Sequence, residues 1–310
     1  MHRRTLLYAI SISFIILVIM SVGALGRQEN NAMSLSDARQ YMLELINRDR
    51  KANGLNPVAL DKTATEAGQQ HAEEMARMCY LSHWDQLGRL PDQRYTELGG
   101  VGFVQENVFL GMHYRRSQPD GPLPLESSPL FTRTELEEIE QTYMNELPPN
   151  DGHRQNILNP YHTHVGISLA KASDTDAVII ANTQEFVSSW VKVDDLPKSA
   201  RVGDSIRVSG KIIGRAHFSA ITVGRYPLPN SIDIDVLRHS SSYSAPPAYV
   251  TYCPAGYVTP APVKTDSNGG FSITLPLNDN GNQGIYYVTI WLQDASGKNF
   301  IASQRTILVY

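Results

Sequence analysis

The stretch NDGHRQNILNPYHTHVG, residues 150–166, gathers three histidines, an arginine and three asparagines in one short segment. Imidazole side chains bind metals, serve as general bases, or hydrogen-bond inside a core, so the segment admits all three roles. The sequence has no HExxH, GxSxG or CxxC motif and no phosphate-cradling glycine loop. Any site must therefore be assembled from side chains that are distant along the chain.

Candidate side chains lie at the ends of the expected elements, where they reach solvent: His83, Glu106, Glu146 and His153. Two neutral imidazoles suit Zn²⁺ and related divalent ions, with water in a third position. Water on such a metal reaches a pKa of about 7, and a neighbouring carboxylate accepts its proton or orients a ligand imidazole. The alternative is a hydrogen-bonded cluster that merely joins loops.

The other histidines favour packing roles. His71 lies on the apolar face of an expected helix and is interpreted as a hydrogen-bonded core residue. His162 and His164 are spaced by one residue at a strand start and so point to the same face. They form either a second metal pair or, as favoured here, strand packing.

Residues around His153 are expected to shape its loop. Gly152 is predicted to let the backbone turn so that His153 faces the cleft. Arg154 and Asn156 are predicted to tie the loop through side-chain to backbone hydrogen bonds.

Helical spacing dominates residues 34–78 and predicts two helices. Ser36 can cap the first, Gly54 ends it, and the second begins at about Asp61. From Leu81 to Pro129 the signals are those of loops, including an irregular insertion rich in proline, glycine and serine.

A third helix precedes Pro148 and Pro149, and two strands follow, HVGISLAKA and the doubly buried AVIIANTQEFV. After a linker around DDLPKSARVGD the apolar period changes to two, as in SIRVSGKI, FSITLPL and YYVTIWLQD. No helix is evident there. The fold class is therefore α+β, with an α+β sandwich followed by an all-β, immunoglobulin-like sandwich.

Five segments, in order, resemble the CAP superfamily, the cysteine-rich secretory, antigen 5 and pathogenesis-related 1 proteins, in the bacterial SCP-domain form. They are LINRDRKANGLNPVALDKTATEAGQQHAEEMARMCYLSHWD, QENV, YMNE, NDGHRQNILNPYHTHVGISLA and NTQEF. The resemblance implies an α-β-α sandwich over residues 34–190, with the β-domain at 197–310 outside it.

The resemblance also implies a cleft lined by two histidines and two glutamates, which fall on His83, Glu106, Glu146 and His153. The second glutamate is the least fixed by the motifs, because Tyr143 replaces a tryptophan and LPPND lengthens the link to His153. Glu138 or Glu140 takes that place if the alignment slips by one or two turns.

The N-terminal segment, the net charge and the cysteines indicate the location of the protein and the kinds of partner it has. Residues 1–26 combine Arg3 and Arg4 with a long apolar run, which predicts a signal peptide or an N-terminal membrane anchor. The location is then extracellular or in the cell envelope. The formal charge of −4 argues against a nucleic-acid partner. Cys79 and Cys253 are expected to be separate thiols rather than a bridge.

Three functions are compatible with these observations. The favoured one is an exported, secreted or anchored CAP-domain protein whose cleft binds a divalent metal, Zn²⁺ before Ca²⁺ or Mg²⁺, and a small apolar, lipid-like or peptide ligand. The second is a metal-dependent hydrolase in which Glu106 or Glu146 is the catalytic carboxylate. The third is a structural envelope protein that uses the tyrosine-rich segment SSYSAPPAYVTYCPAGY as an exposed surface, although the same segment is equally compatible with an ordered loop that packs its own tyrosines. Whether the chain is an enzyme stays open.

Overall fold

The computed structural model describes residues 32–114, 121–240 and 242–310. The expected signal peptide or anchor at residues 1–26, and residues 115–120 of the expected insertion, lie outside the described residues. Within the described ranges, no helix has the length and apolar character needed to cross a bilayer.

Helices and strands alternate in the N-terminal half. In chain order they are α1 (Leu35–Ala52), β1 (Ala59–Leu60), α2 (Lys62–Met78), α3 (Pro91–Glu97), β2 (Phe103–Tyr114), α4 (Arg133–Met144), α5 (Gly152–Ile157), β3 (His164–Ser173) and β4 (Ala177–Ser188). The strands form one sheet in the order β1-β3-β4-β2, with β1 parallel to β3 and the other pairs antiparallel.

This sheet is covered on both faces. Because successive side chains of a strand point to opposite faces, β3 buries Ile167 and Leu169 against α1 and α4 on one side. On the other side it buries Ala170 and Ala172 against α2. The predicted α-β-α sandwich is therefore confirmed, as is the burial of β4 on both faces.

Side-chain capping hydrogen bonds mark the starts of α1 and α2. Ser34, not the predicted Ser36, caps α1: its hydroxyl accepts the Asp37 backbone N–H at 3.2 Å, whereas Ser36 lies inside the first turn. The predicted start of α2 is confirmed, since the Asp61 side chain accepts the Ala64 N–H at 2.8 Å.

The packing of α2 on the sheet is close enough to require small residues. A Cβ placed on Gly166 of β3 would lie 2.3 Å from the carbonyl carbon of Ala64. A Cβ on Gly68 of α2 would lie 2.3 Å from the hydroxyl of Thr183. Helix and strand therefore meet backbone to backbone, which fixes the position of α2 over the sheet.

The expectation of loops from Leu81 to Pro129 was wrong in two places. Helix α3 and the twelve-residue strand β2 lie inside that range. Three consecutive polar residues, Gln105, Glu106 and Asn107, interrupt the alternation that would have indicated a strand. Glu106 and Asn107 are buried there and hydrogen-bonded, so their polarity serves the site rather than solvent.

The C-terminal half is a two-sheet β-sandwich, as predicted. Its elements are β5 (Val191–Val193), β6 (Ser199–Ala200), β7 (Ser205–Ile212), β8 (His217–Tyr226), α6 (Ile234–Leu237), β9 (Ala248–Tyr252), β10 (Lys264–Thr265), β11 (Gly270–Pro276), β12 (Gly284–Gln293) and β13 (Asn299–Val309). The sheets run β10-β11-β7-β5 and β6-β13-β12-β8-β9. The one-turn helix α6 corrects the expectation that this half has no helix.

The sandwich packs directly on the N-terminal half. The inward face of β12 fills the sandwich core, while its outward residues Tyr287 and Thr289 are also buried. The Thr306 N–H of β13 donates to the hydroxyl of Thr96 on α3 at 3.4 Å, and the Gln304 N–H donates to the Gly102 carbonyl at 3.4 Å. Residues Ala32–Tyr310 accordingly form one compact unit.

The two cysteines are separate thiols, as expected. Cys79 is buried at the C-terminus of α2, where its own backbone adopts the left-handed conformation, and Cys253 follows β9 in the sandwich.

Candidate functional site

The first half of the site is a histidine held by a buried carboxylate. Nδ1 of His83, in the segment after α2, lies 2.8 Å from Oε2 of Glu106 on β2. Burial, reinforced by His153 and Arg94, lowers the pKa of His83 to about 3. The contact is therefore a hydrogen bond from a neutral imidazole rather than an ion pair. With the proton on Nδ1, the lone pair of Nε2 is available to a ligand.

Arg94 completes this half from α3. Its guanidinium donates to Oε1 of Glu106 at 2.6 Å and to the backbone carbonyls of His83 and Arg89 at 2.9 and 3.0 Å. Burial raises the pKa of Glu106 to about 6, and the Arg94 charge opposes that rise. Glu106 is thus mainly ionised at neutral pH. It accepts one hydrogen bond from the charged Arg94 guanidinium and one from the His83 imidazole.

Glu185 lies directly opposite Glu106, on the neighbouring strand β4. It is fully buried, and burial together with the Glu106 charge raises its pKa well above the usual range for a carboxyl. Its Oε1 is 3.8 Å from Arg94. One guanidinium therefore balances one ionised and one neutral carboxyl, which avoids two like charges in a dry site.

The second half of the site repeats the pattern. Nδ1 of His153, on α5, lies 2.5 Å from Oε1 of Glu146, in the turn after α4. Oε2 of Glu146 accepts the backbone N–H groups of His153 at 2.9 Å and Arg154 at 3.4 Å. This pair is more open than the first: the side chains of His153 and Glu146 are 29% and 22% exposed.

The two halves face each other. The ring centroids of His83 and His153 are 6.4 Å apart, and Tyr143 of α4 packs on His153 with centroids 5.0 Å apart. The structure thus brings together all four residues that the sequence pattern selected. Glu146 contacts His153, whereas Glu138 is exposed on α4 and Glu140 is buried against Gln184.

The donor set suits a divalent ion. Neutral imidazole nitrogen is a common ligand of Zn²⁺, with Zn–N bonds of about 2.0–2.1 Å. A carboxylate on Nδ1 is the usual outer partner of a metal-binding histidine, and both rings have one. Among the described residues, no group of three or more His, Cys, Asp or Glu side chains is arranged to hold an ion.

The residues flanking His153 correct two expectations. Gly152 has no positive φ and no atom within 4 Å of its Cβ position, so a glycine is not required there. Asn156 does tie the loop, donating to the Glu106 carbonyl at 3.3 Å and to Asn107 Oδ1 at 2.9 Å. Arg154 does not: its Nε is buried without a hydrogen-bond partner among the described residues.

Arg154 instead lines a cavity of about 530 Å³ between α5 and the sandwich. The stacked rings of Tyr161 and Phe300, 4.1 Å apart, and Lys298 form its far side. The cavity adjoins the His153 helix rather than the paired histidines themselves.

The three other histidines singled out in the sequence analysis make packing contacts or local hydrogen bonds. His71 is buried and its Nε2 lies 2.8 Å from the Ser82 carbonyl, as expected for a core histidine. His162 stacks on Phe186 and bonds the Ser188 hydroxyl at 3.0 Å, and Nδ1 of His164 bonds Thr163 at 2.9 Å.

Sequence reasoning missed Arg94, Glu185 and Tyr243 at the site. Nothing in the spacing of Arg94 distinguishes it from a surface arginine. Glu185 lies in the NTQEF segment, where an acidic residue in a doubly buried strand was the available signal. Tyr243, from the sandwich, packs on His83 with ring centroids 5.0 Å apart.

Three of the four tyrosines in the segment SSYSAPPAYVTYCPAGY are buried or half-buried, which agrees with the alternative of an ordered loop that packs its own tyrosines. Tyr252 is buried and Tyr249 is half-buried against the sandwich core. Only Tyr257 of the four tyrosines is largely exposed, at 70%.

Residues 43–186 match the model of the CAP family, described as the cysteine-rich secretory protein family. That match includes all four residues of the paired histidine site and most of the α-β-α sandwich, from within α1 to within β4. Residues 43–186 of the chain are therefore similar to the CAP family.

Similar proteins include two from Bacillus subtilis (strain 168). The chain is 25% identical over 140 residues to the uncharacterized protein YkwD, covering 45% of each chain. It is 26% identical over 154 residues to the uncharacterized membrane protein YlbC, covering 49% of this chain and 35% of that one. The chain thus spans less than half the length of the curated relatives it matches.

Among solved structures, an extracellular protein containing a SCP domain from Bacillus anthracis str. Ames is similar. The sequence identity is 20% and the TM-score 0.34, over 50% of this chain and 41% of that chain.

Proposed function

We propose that this chain is an exported CAP-domain protein whose paired histidines reversibly bind a divalent metal ion, Zn²⁺ by preference, together with a small apolar, lipid-like or peptide ligand. The observation that carries the proposal is the matched pair of His–Glu contacts. Each imidazole is oriented through Nδ1, which leaves Nε2 of His83 and of His153 for an ion between them.

The carboxylates support binding rather than hydrolysis. Both oxygens of Glu106 are engaged, by His83 and Arg94, and both oxygens of Glu146 are engaged, by His153 and by backbone N–H groups. A general base needs an oxygen within reach of the water it deprotonates. In these positions the carboxylates orient imidazoles, so a metal-dependent hydrolase is the second candidate.

The surroundings of the pair support a ligand with apolar or aromatic groups. Tyr143 packs on His153, and Tyr243 packs on both His83 and Trp84. Aromatic rings beside two imidazoles offer apolar contact area with a few fixed polar atoms, which is the usual composition of a small-molecule site. A partner made of nucleic acid does not suit a chain of net charge −4.

Export is proposed from the first 26 residues, where two arginines precede a long apolar run. Release by cleavage and retention as an anchor both place residues from Arg27 onward outside the cytoplasmic membrane. In the second case this segment is the chain's own contact with the membrane.

Calorimetric titration tests the proposal. The purified full-length chain is titrated with Zn²⁺, and separately with Ca²⁺ and Mg²⁺, beside a His83→Ala/His153→Ala variant and a His217→Ala control at an exposed site on β8. We expect one Zn²⁺ per chain, lost in the double variant and kept in the control. Binding that survives the double variant, or no binding to the unaltered chain, would refute the metal proposal.

The same variants separate binding from hydrolysis. A hydrolase predicts that Glu106→Gln abolishes turnover while metal is retained, and that His153→Ala abolishes both. Turnover that survives both substitutions would exclude these residues as its centre.

A further inference from the structure

The connection from β8 to β9, described over residues 227–240 and 242–247, leaves the sandwich and packs on the N-terminal half. Its short helix α6 buries Leu237 completely in the core that α2 makes with the sheet. Ile232 and Ile234 pack against the same core. We call these described residues, 227–240 and 242–247, the β8–β9 connection.

The anchors of this connection bracket His83. The Ile232 N–H donates to the Gln86 carbonyl at 2.9 Å, and the Ser82 hydroxyl donates to the Ser240 carbonyl at 2.7 Å. At Gly88 the approach is close enough that a Cβ would lie 2.5 Å from the carbonyl oxygen of the connection's residue 230. The connection is therefore fixed to the chain on both sides of the first site histidine.

Beyond these anchors the connection places Tyr243 against the site. Its ring meets His83 edge-on, with centroids 5.0 Å apart and planes at 63°. It meets Trp84 in the same way, with centroids 6.1 Å apart and planes at 75°. The hydroxyl of Tyr226 on β8 donates to the Ser244 carbonyl and holds the backbone next to Tyr243.

His83 is less exposed to solvent than His153, as expected if Tyr243 packs over it. The side chain of His83 is 8% exposed, whereas that of His153 is 29% exposed. Glu106 occupies Nδ1 of His83, so a ligand must reach the ring from the side of Nε2. The Tyr243 ring meets His83 and Trp84 through aromatic contacts, which side-chain rotation can release.

We propose that Tyr243 is an intramolecular cover over His83, so that the C-terminal sandwich controls access to the paired histidines. The inference rests on the proposed function, because the metal ion or ligand of that site is what the cover would admit. The cover opens by rotation of the Tyr243 side chain, while α6 and its anchors stay in place.

Acylation by diethylpyrocarbonate tests access without a metal. The reagent is applied to the full-length chain, and each histidine's rate is read by peptide mass spectrometry, with exposed His217 as the internal reference. We expect Tyr243→Ala to raise the His83 rate at least about fivefold, since a covered group reacts only while it is open. Tyr243→Phe should keep the unaltered rate, because the ring does the covering.

Two further variants keep the test decisive. Tyr257→Ala removes an exposed tyrosine of the same domain and should change nothing. Tyr226→Phe removes the hydroxyl that holds Ser244 and should give an intermediate rise without touching the Tyr243 ring. Buried His71 serves as the control for unfolding. If His71 is acylated in Tyr243→Ala, that variant is unfolded, and the His83 rate in Tyr226→Phe is used to test the cover instead.

An unchanged His83 rate in folded Tyr243→Ala would overturn the cover. Stopped-flow Zn²⁺ binding then separates the two proposals. Faster association in Tyr243→Ala, with one ion per chain, supports both. A higher acylation rate in a chain that binds no Zn²⁺ keeps the cover and removes the metal proposal, whereas Zn²⁺ binding with unchanged acylation removes the cover alone.

Discussion

Glu146 holds His153 at two points, accepting a hydrogen bond from the ring Nδ1 at 2.5 Å and from the backbone N–H at 2.9 Å. One carboxylate thus fixes both the start of α5 and the direction of the imidazole it carries. His83 has a different arrangement: Glu106 fixes the ring, while Arg94 fixes both Glu106 and the His83 carbonyl. Both histidines are positioned before any ligand arrives, which lowers the cost of binding.

Replacing Glu146 by glutamine should weaken Zn²⁺ binding about 10–100-fold, the usual loss when a ligand histidine loses its outer carboxylate. The amide still fills the space, so the free energy of unfolding should change little. Calorimetry and urea denaturation measure the two effects. Glu138→Gln on the exposed side of α4 is the control. Equal affinity in Glu146→Gln and Glu138→Gln would show that the contact does not orient a ligand.

Arg94→Met should lower the free energy of unfolding by about 3–5 kcal/mol, because it leaves the buried Glu106 charge without a partner. Adding Glu106→Gln to this variant should restore part of the loss. Arg48→Met, which breaks an exposed pair with Asp49, should cost less than about 1 kcal/mol. Similar losses for Arg94→Met and Arg48→Met in urea denaturation would contradict the account of this cluster.

Gly166→Ala should destabilise the chain by about 1–3 kcal/mol, because the added methyl meets the backbone of α2 at Ala64. The matched control is Gly152→Ala, where the methyl meets nothing within 4 Å and the backbone is ordinary. We expect Gly152→Ala to be neutral or slightly stabilising. A thermal scan that ranks the two variants the other way would show that α2 can move away from the sheet.

Glu140 should make stability depend on pH. Burial raises its pKa from the ordinary 4.5 to about 8, so between these values the folded chain binds more protons than the unfolded chain. Its contribution is complete below about pH 4.5 and is lost as the pH rises toward 8. Urea denaturation should show that Glu140→Gln makes this decline smaller, whereas Glu138→Gln leaves it unchanged; the rest of the decline comes from Glu106 and Glu185, whose pKa values burial also raises. Parallel pH profiles for Glu140→Gln and the unaltered chain would be the contrary result.

The elements with a clear apolar period were predictable from sequence. Met75 on α2 follows the helical period of 3.6 residues, and Ile167 on β3 and Val288 on β12 follow the strand period of two residues; all three are buried in a hydrophobic core. The strand β2 was not predictable in this way, because Gln105, Glu106 and Asn107 are polar residues that the site buries. Its partner residues on other elements, unknown from sequence, make that burial possible.

The site residues, like the elements, were only partly predictable from the sequence. The motifs selected His83 and His153, but the choice among carboxylates of one helix depended on where the turn after α4 directs Glu146. Tyr243 was beyond sequence reasoning, because the β8–β9 connection has no periodicity and its contact with His83 depends on how two domains pack. Residues that complete a site from a distant loop give no local signal.

The most direct test of the metal proposal is anomalous X-ray diffraction at the zinc edge from crystals of the protein soaked in Zn²⁺. The account predicts one peak between His83 and His153, about 2.0–2.1 Å from Nε2 of each ring, with both Nδ1 atoms still bonded to Glu106 and Glu146. A zinc ion bound elsewhere while this position stays empty would contradict it.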